Sequence, residues 1–171
     1  VYGMETEESK VDDRLKTIFN YDELFGTIVN RFITQAVIGY PLTVYGKGGQ
    51  TRGYLNIQDT LQCVHISEQN PAKQGEMKIF NQIMETFTVN ELAALTQKVG
   101  QELGYAVEIK NIENPRVELE EHYYNPSYQG LIELGVAPHL LTKEVMTSMF
   151  DVVKHYKSNI RKDVIFRGVK W

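Results

Sequence analysis

The chain has 171 residues, 42% of them hydrophobic, and a formal net charge of −4, so it can bury a core of its own as a single domain. That acidic balance leaves no basic footprint for nucleic acid or an anionic membrane surface, and no apolar run approaches the roughly 20 residues a membrane helix needs. One cysteine, Cys63, excludes an internal disulfide and fits a reducing compartment.

Val1-Tyr2-Gly3 reads as the tail of a strand, and the valine start predicts that something lies upstream. Residues 4–14 carry Glu5, Glu7, Glu8, Asp12 and Asp13 and read as a solvated loop. From Asp22 to Gly39 the apolar residues Phe25, Ile28, Val29, Phe32, Ile33, Ala36 and Val37 keep helical spacing, and Gly39 with Pro41 stops the helix. Two short strands follow, 42–45 and 51–57, which the glycine-rich turn Gly46-Lys47-Gly48-Gly49 predicts to be a hairpin. Alternation puts Leu55 and Ile57 on one face of the second strand, and Arg52, Tyr54 and Asn56 on the other. Asn56 is placed to cap a helix over 57–69 that ends before Pro71, with Cys63 packed inside it as a core residue.

A short strand is expected at Met77 to Phe80. Thr88-Val89-Asn90-Glu91 has the form of a capping box and opens a helix with Leu92, Leu95, Val99 and Leu103 inward, ended by Gly104. Ala106 to Lys110 is the next strand, Pro126 to Leu134 a short helix, and Thr142 starts a last helix whose inner stripe is Val145, Met146, Met149, Phe150 and Val153. The sum is an α/β fold with short strands and crossover helices.

A complete catalytic set is absent from these residues. None of the ten tyrosines is followed by lysine four positions on, and no Gly-x-Gly-x-x-Gly or Gly-x-Ser-x-Gly occurs. The glycines at 46–49 open a strand rather than a helix, and Gly46-Lys47 is followed by Gly48 where a phosphate loop needs serine or threonine. The four histidines, 65, 122, 139 and 155, lack metal-ligand spacing. What the pattern does offer is Arg52, a cation on a strand face that can fork onto a phosphate or carboxylate, or simply sit in water.

The run 25–64 (with "LTVYGKGGQTRGYLNIQDTLQCV" at its heart), together with "NPAKQGEMKIFNQ", "TVNEL" and "NPRVELEEHYYNPSYQGLIELGVAPHLL", resembles the extended short-chain dehydrogenase/reductase family of nucleotide-sugar enzymes. The resemblance covers nearly the whole chain but only the C-terminal half of such an enzyme. It implies the end of the nucleotide-binding Rossmann sheet plus the small substrate-binding domain, with residues 1–171 forming a single UDP-sugar-binding part. The half that binds NAD and carries the tyrosine–lysine pair is then missing, and with it the catalytic residues.

By this resemblance Thr43 and Tyr45 lie against the nucleotide base, Arg52 and Arg116 on the diphosphate, and Asn81 beside the nucleotide. Glu118 or Glu120 falls near the ribose hydroxyls, Gln50 near the sugar, and Thr27 and Arg31 in a segment of the same site. The implied activity joins sulfite to UDP-glucose with the help of NAD. Another nucleotide-sugar epimerase or dehydratase, or a non-catalytic nucleotide-binding module, are the alternatives. The resemblance further implies a homodimer when complete, located in the cytoplasm, or in the chloroplast stroma of a plant or alga.

Overall fold

The structure is a computed structural model that describes residues 1–16, 18–114 and 125–165. Its core is built by three helices: α2 (Ile28–Val37), α4 (Val89–Glu102) and α6 (Lys143–His155). α2 packs against both of the others. Val29, Phe32, Ile33, Ala36 and Val37 from α2 meet Leu92, Ala93 and Val99 from α4 and Met146, Met149, Phe150 and Val153 from α6. Each large apolar side chain so buried contributes about 1.5–3 kcal/mol. A second cluster, Leu55, Cys63, Met84, Leu131 and Val136, lies under α3 (Ile57–Gln69) and α5 (Gln129–Glu133). Burial pushes the Cys63 thiol up, in keeping with a packed side chain and not a nucleophile.

The helix starts follow local chemistry. Asn56 Oδ1 accepts from the Gln58 N–H at 3.0 Å and opens α3. Thr88 and Glu91 form the reciprocal capping box of α4. Thr142 accepts from the Val145 N–H and opens α6. α2 begins later than its hydrophobic spacing implies. Asp22 Oδ1 accepts from the N–H groups of Leu24 and Phe25, both at 2.8 Å, and this turn occupies 22–26 before the helix starts. Gly39, at φ 72°, closes it in the left-handed region.

The strands depart most from the sequence reading. β1 (Leu42–Tyr45) and β2 (Thr51–Tyr54) are not a hairpin. β1 pairs in parallel with β4 (Ile109–Ile112), and β2 pairs antiparallel with β3 (Glu85–Thr88). Gly46 and Gly48 do adopt positive φ. Their turn is docked sideways, however: the Gly46 N–H donates to Ile112 O and the Asn90 N–H to Gly48 O. The turn therefore delivers the chain from one sheet into another. A Cβ on Gly48 would collide with the Asn90 side chain.

β2 ends at Tyr54, so the alternation expected through 57 breaks. Tyr54, Leu55 and Asn56 are all buried, and Tyr54 belongs to the main core beside Phe87, with 5.9 Å between ring centroids. Met77 to Phe80 forms no strand: Met77 and Ile79 are 80% and 76% exposed, and the strand lies at Glu85–Thr88 instead. Residues 4–14 are not a bare loop, because Thr6 and Ser9 form a capping box that opens α1 (Glu7–Val11).

Tyr2 fastens the start of the chain to its far end. It is fully buried and bridges Asn56 in parallel. Its hydroxyl lies 3.0 Å from both Glu85 Oε2 and His139 O. Glu85 Oε2 also accepts from the Leu141 N–H at 2.8 Å. The buried Asp59 carboxylate accepts from the His139 N–H at 2.9 Å and lies 2.6 Å from His139 Nδ1. Burial and the Glu85 charge together push the Tyr2 phenol far up, so it stays a neutral donor.

Candidate functional site

Five of the nine residues expected at a binding site converge on one cavity of about 250 Å³: Thr27, Arg31, Tyr45, Gln50 and Arg52. The N-terminal turn of α2 forms one wall, with Gly26, Thr27, Ile28 and Arg31. The end of β1 and the last three residues of β2 supply Tyr45, Arg52, Gly53 and Tyr54 as a second wall. Helix N-termini present unbonded N–H groups and the positive end of the dipole, so this wall favours an anion before any side chain is counted.

The side chains add to that bias. Arg31 is only 5% exposed and its guanidinium carbon sits 4.9 Å from the centroid of the Tyr45 ring, a cation–π stack that holds it rigid over an aromatic face. Arg52 Nη1 donates to Thr51 O at 3.0 Å, which anchors one end of its fork. Gln50 is buried: its Nε2 donates to Tyr45 O at 3.4 Å, while its Oε1 has no hydrogen-bond partner among the described residues. Thr27 Oγ1 is likewise buried without one, although Thr27 stands at the N-cap of α2 where it would ordinarily accept from the helix. Buried polar atoms left unbonded cost about 1–3 kcal/mol each, and two of them belong to residues that line this cavity.

Thr43 and Asn81, also expected at the site, lie elsewhere. Thr43 is buried between Gln35 Nε2, 2.8 Å from its hydroxyl, and Gln35 Oε1, which accepts from its N–H. It lines a separate hollow with Tyr40, Pro41, Lys110 and Ile112. Asn81 is exposed, and its amide donates to Ser127 O at 2.9 Å. Arg116, Glu118 and Glu120 fall outside the described residues. The cavity also holds residues that the sequence reading missed, Glu23, Leu24 and Tyr54. The signal for the first two was Asp22 two and three positions ahead of Leu24 and Phe25, an Asx turn that directs this segment inward.

A larger, mostly apolar cavity of about 500 Å³ is walled by Met4, Phe19, Val152, Val153 and Ile160, with the Asp13–Lys16 pair, Tyr21, Thr34, Tyr156 and Asn159 also lining it. None of the residues that the sequence nominated for a binding site lines it. Among the described residues no group of three or more His, Cys, Asp or Glu could hold a metal ion, and no helix is long and apolar enough to cross a membrane. A dinucleotide does not fit the glycine loop either. Gly46 to Gly49 link two strands in different sheets, so no helix N-terminus follows to receive a pyrophosphate.

No protein-family model matches the chain. Over all of its 171 residues it is 50% identical to the chloroplastic UDP-sulfoquinovose synthase of Spinacia oleracea, covering 36% of that protein. It is 46% identical to the UDP-sulfoquinovose synthase of Sulfolobus acidocaldarius, covering 44%. The chain thus spans less than half the length of these curated relatives.

Among solved structures it is similar to UDP-glucuronic acid 4-epimerase from Bacillus cereus in complex with UDP-glucuronic acid and NAD (TM-score 0.59, 18% identity, 75% of this chain and 40% of that one). UDP-glucose 4-epimerase from Thermotoga maritima with UDP-glucose is comparable (TM-score 0.58, 18% identity, 79% and 41%). So is UDP-N-acetylglucosamine 4-epimerase from Methanobrevibacter ruminantium in complex with UDP-N-acetylmuramic acid (TM-score 0.61, 15% identity, 82% and 42%). The mixed α/β fold is shared with about two-fifths of each of these epimerases, in keeping with the α/β fold expected from the sequence.

Proposed function

We propose that this chain, similar throughout to UDP-sulfoquinovose synthases, is the substrate-binding part of an enzyme that joins sulfite to UDP-glucose. The observation that carries the reading is the single cavity at the start of α2, where two arginines and a stacked tyrosine meet. Arg31 and Arg52 would hold the diphosphate, with Tyr45 offering an aromatic face and Gln50 and Thr27 lining the same cavity. Arg116 and Glu118 complete this set as expectations from the sequence.

NAD, when bound to the whole enzyme, supplies the reversible oxidation of the sugar. The residues here bind and orient the nucleotide end and hold it out of water. The cavity is partly apolar, and closing it around a ligand strengthens each charged contact. Expression of the chain joined to the NAD-binding part that such relatives carry provides the test. Incubated with UDP-glucose and sulfite, the joined protein should yield a sulfonated nucleotide sugar. Interconversion of UDP-sugars with no incorporation of sulfite would move the assignment to an epimerase.

A further inference from the structure

We propose that Gln35 is a positioning residue for this cavity: its amide clasps Thr43 outside the cavity and so sets the Arg31 guanidinium over the Tyr45 ring, an inference that rests on the nucleotide-sugar reading above. Gln35 lies near the end of α2 with no exposed surface, and Thr43 is 3% exposed. Gln35 Nε2 donates to Thr43 Oγ1 at 2.8 Å, and Gln35 Oε1 accepts from the Thr43 N–H at 3.2 Å. Both ends of one side chain are thus committed to one residue, in the interior, where leaving either group unpaired is penalised.

Spacing carries this clasp to the cavity. Arg31 and Gln35 are four apart on α2 and share a face, and Thr43 and Tyr45 are two apart on β1 and share a face. Four helical residues rise about 6 Å and two strand residues about 6.6 Å. Gln35–Thr43 and Arg31–Tyr45 therefore stand as two rungs between the same helix and the same strand. The second rung is the stack, 4.9 Å from guanidinium carbon to ring centroid, and both of its residues line the cavity. Neither member of the first rung does. Alternate N–H groups of the strand turn toward β4, with Leu42 donating to Glu108 O and Gly46 to Ile112 O. The Thr43 N–H faces away from β4, and Gln35 satisfies it as a neighbouring strand would. A slip of β1 along α2 would carry the ring off the guanidinium and weaken the stack. The clasp opposes that slip, so Thr43 serves the cavity through Tyr45.

The test is calorimetric titration of the joined, full-length protein with UDP. Gln35→Met keeps the volume but cannot make the two bonds, and it should weaken UDP binding about tenfold. Thr43→Val removes only the hydroxyl and should weaken binding by less, while Thr43→Ser keeps both bonds and should keep the affinity. The deciding measurement is the cycle with Tyr45→Leu: once the stack is gone, Gln35→Met should change UDP binding by less than about twofold. A role in packing alone lowers the melting temperature and leaves UDP affinity level, or weakens binding equally with and without Tyr45. Either result overturns the inference and leaves the nucleotide-sugar reading standing. If Gln35→Met does not fold, Thr43→Val against Thr43→Ser decides, and equal affinities in the two overturn it. Wild-type protein that fails to bind UDP overturns the nucleotide-sugar reading and this inference with it.

Discussion

Burying a guanidinium is costly unless its surroundings are polar or aromatic, and Arg31 has the Tyr45 ring as part of that setting. Arg52, on the second wall and less buried, is the better probe of ligand binding, because its loss disturbs less of the packing. Arg52→Ala in the joined protein should weaken UDP binding by about 1.5–3 kcal/mol, the range of a hydrogen bond to a charged group. Arg52→Lys should recover only part, since a point charge cannot fork two oxygens. Titration of both variants with UDP measures this, and unchanged affinity in the alanine variant would remove Arg52 from the site. Of the residues that the resemblance nominated, Thr27, Arg31, Tyr45, Gln50 and Arg52 line one cavity, while Thr43 and Asn81 do not. Glu23 was invisible because nothing in a lone glutamate on an acidic chain distinguishes a buried carboxylate from a solvated one.

Helix starts were legible and strand partners were not, for one physical reason. A cap is written within four residues, so Asn56, Thr88 with Glu91, and Thr142 could be read directly. A strand's partner is set by packing across long separations, and the glycine turn after β1 fits a hairpin as well as it fits the observed passage between sheets. The same non-locality misplaced the strand expected at Met77 to Phe80, since β propensity reports a half-buried pleated surface that only tertiary contacts create. Thr88 deserves its own test because it closes β3 and caps α4 at once. Glu91 Oε2 lies 2.7 Å from the Thr88 N–H, and Thr88 Oγ1 accepts from the Glu91 N–H at 3.1 Å. Thr88→Ala should cost about 1 kcal/mol, seen as a melting temperature lowered by about 2–4 °C. An unchanged melting curve would mean that the strand pairing alone fixes the start of α4.

For the molecule as a whole, several large apolar side chains face outward together with short, open sheets. Leu61 and Val64 on α3 are 52% and 58% exposed, and Met77 and Ile79 are more exposed still. Each sheet has two strands among the described residues, so strand edges remain open. On the reading proposed above, these surfaces belong against the NAD-binding part. Prepared alone, the chain should bind a hydrophobic dye or self-associate, and joining the NAD-binding part should suppress both. A monodisperse, dye-negative chain with a sharp two-state melt would count against it.

The clip at Tyr2 also sets an order of events in time. Its hydroxyl reaches a carbonyl 137 positions away, and the two carboxylates that complete it, Asp59 and Glu85, take their backbone donors from His139 and Leu141. During synthesis Tyr2 therefore emerges long before the groups that will secure it. Closing so long a loop waits on late residues and carries the entropy of all that lies between. Translation must pass residue 141 before Tyr2 can lock, so this segment is secured only by groups made well after it.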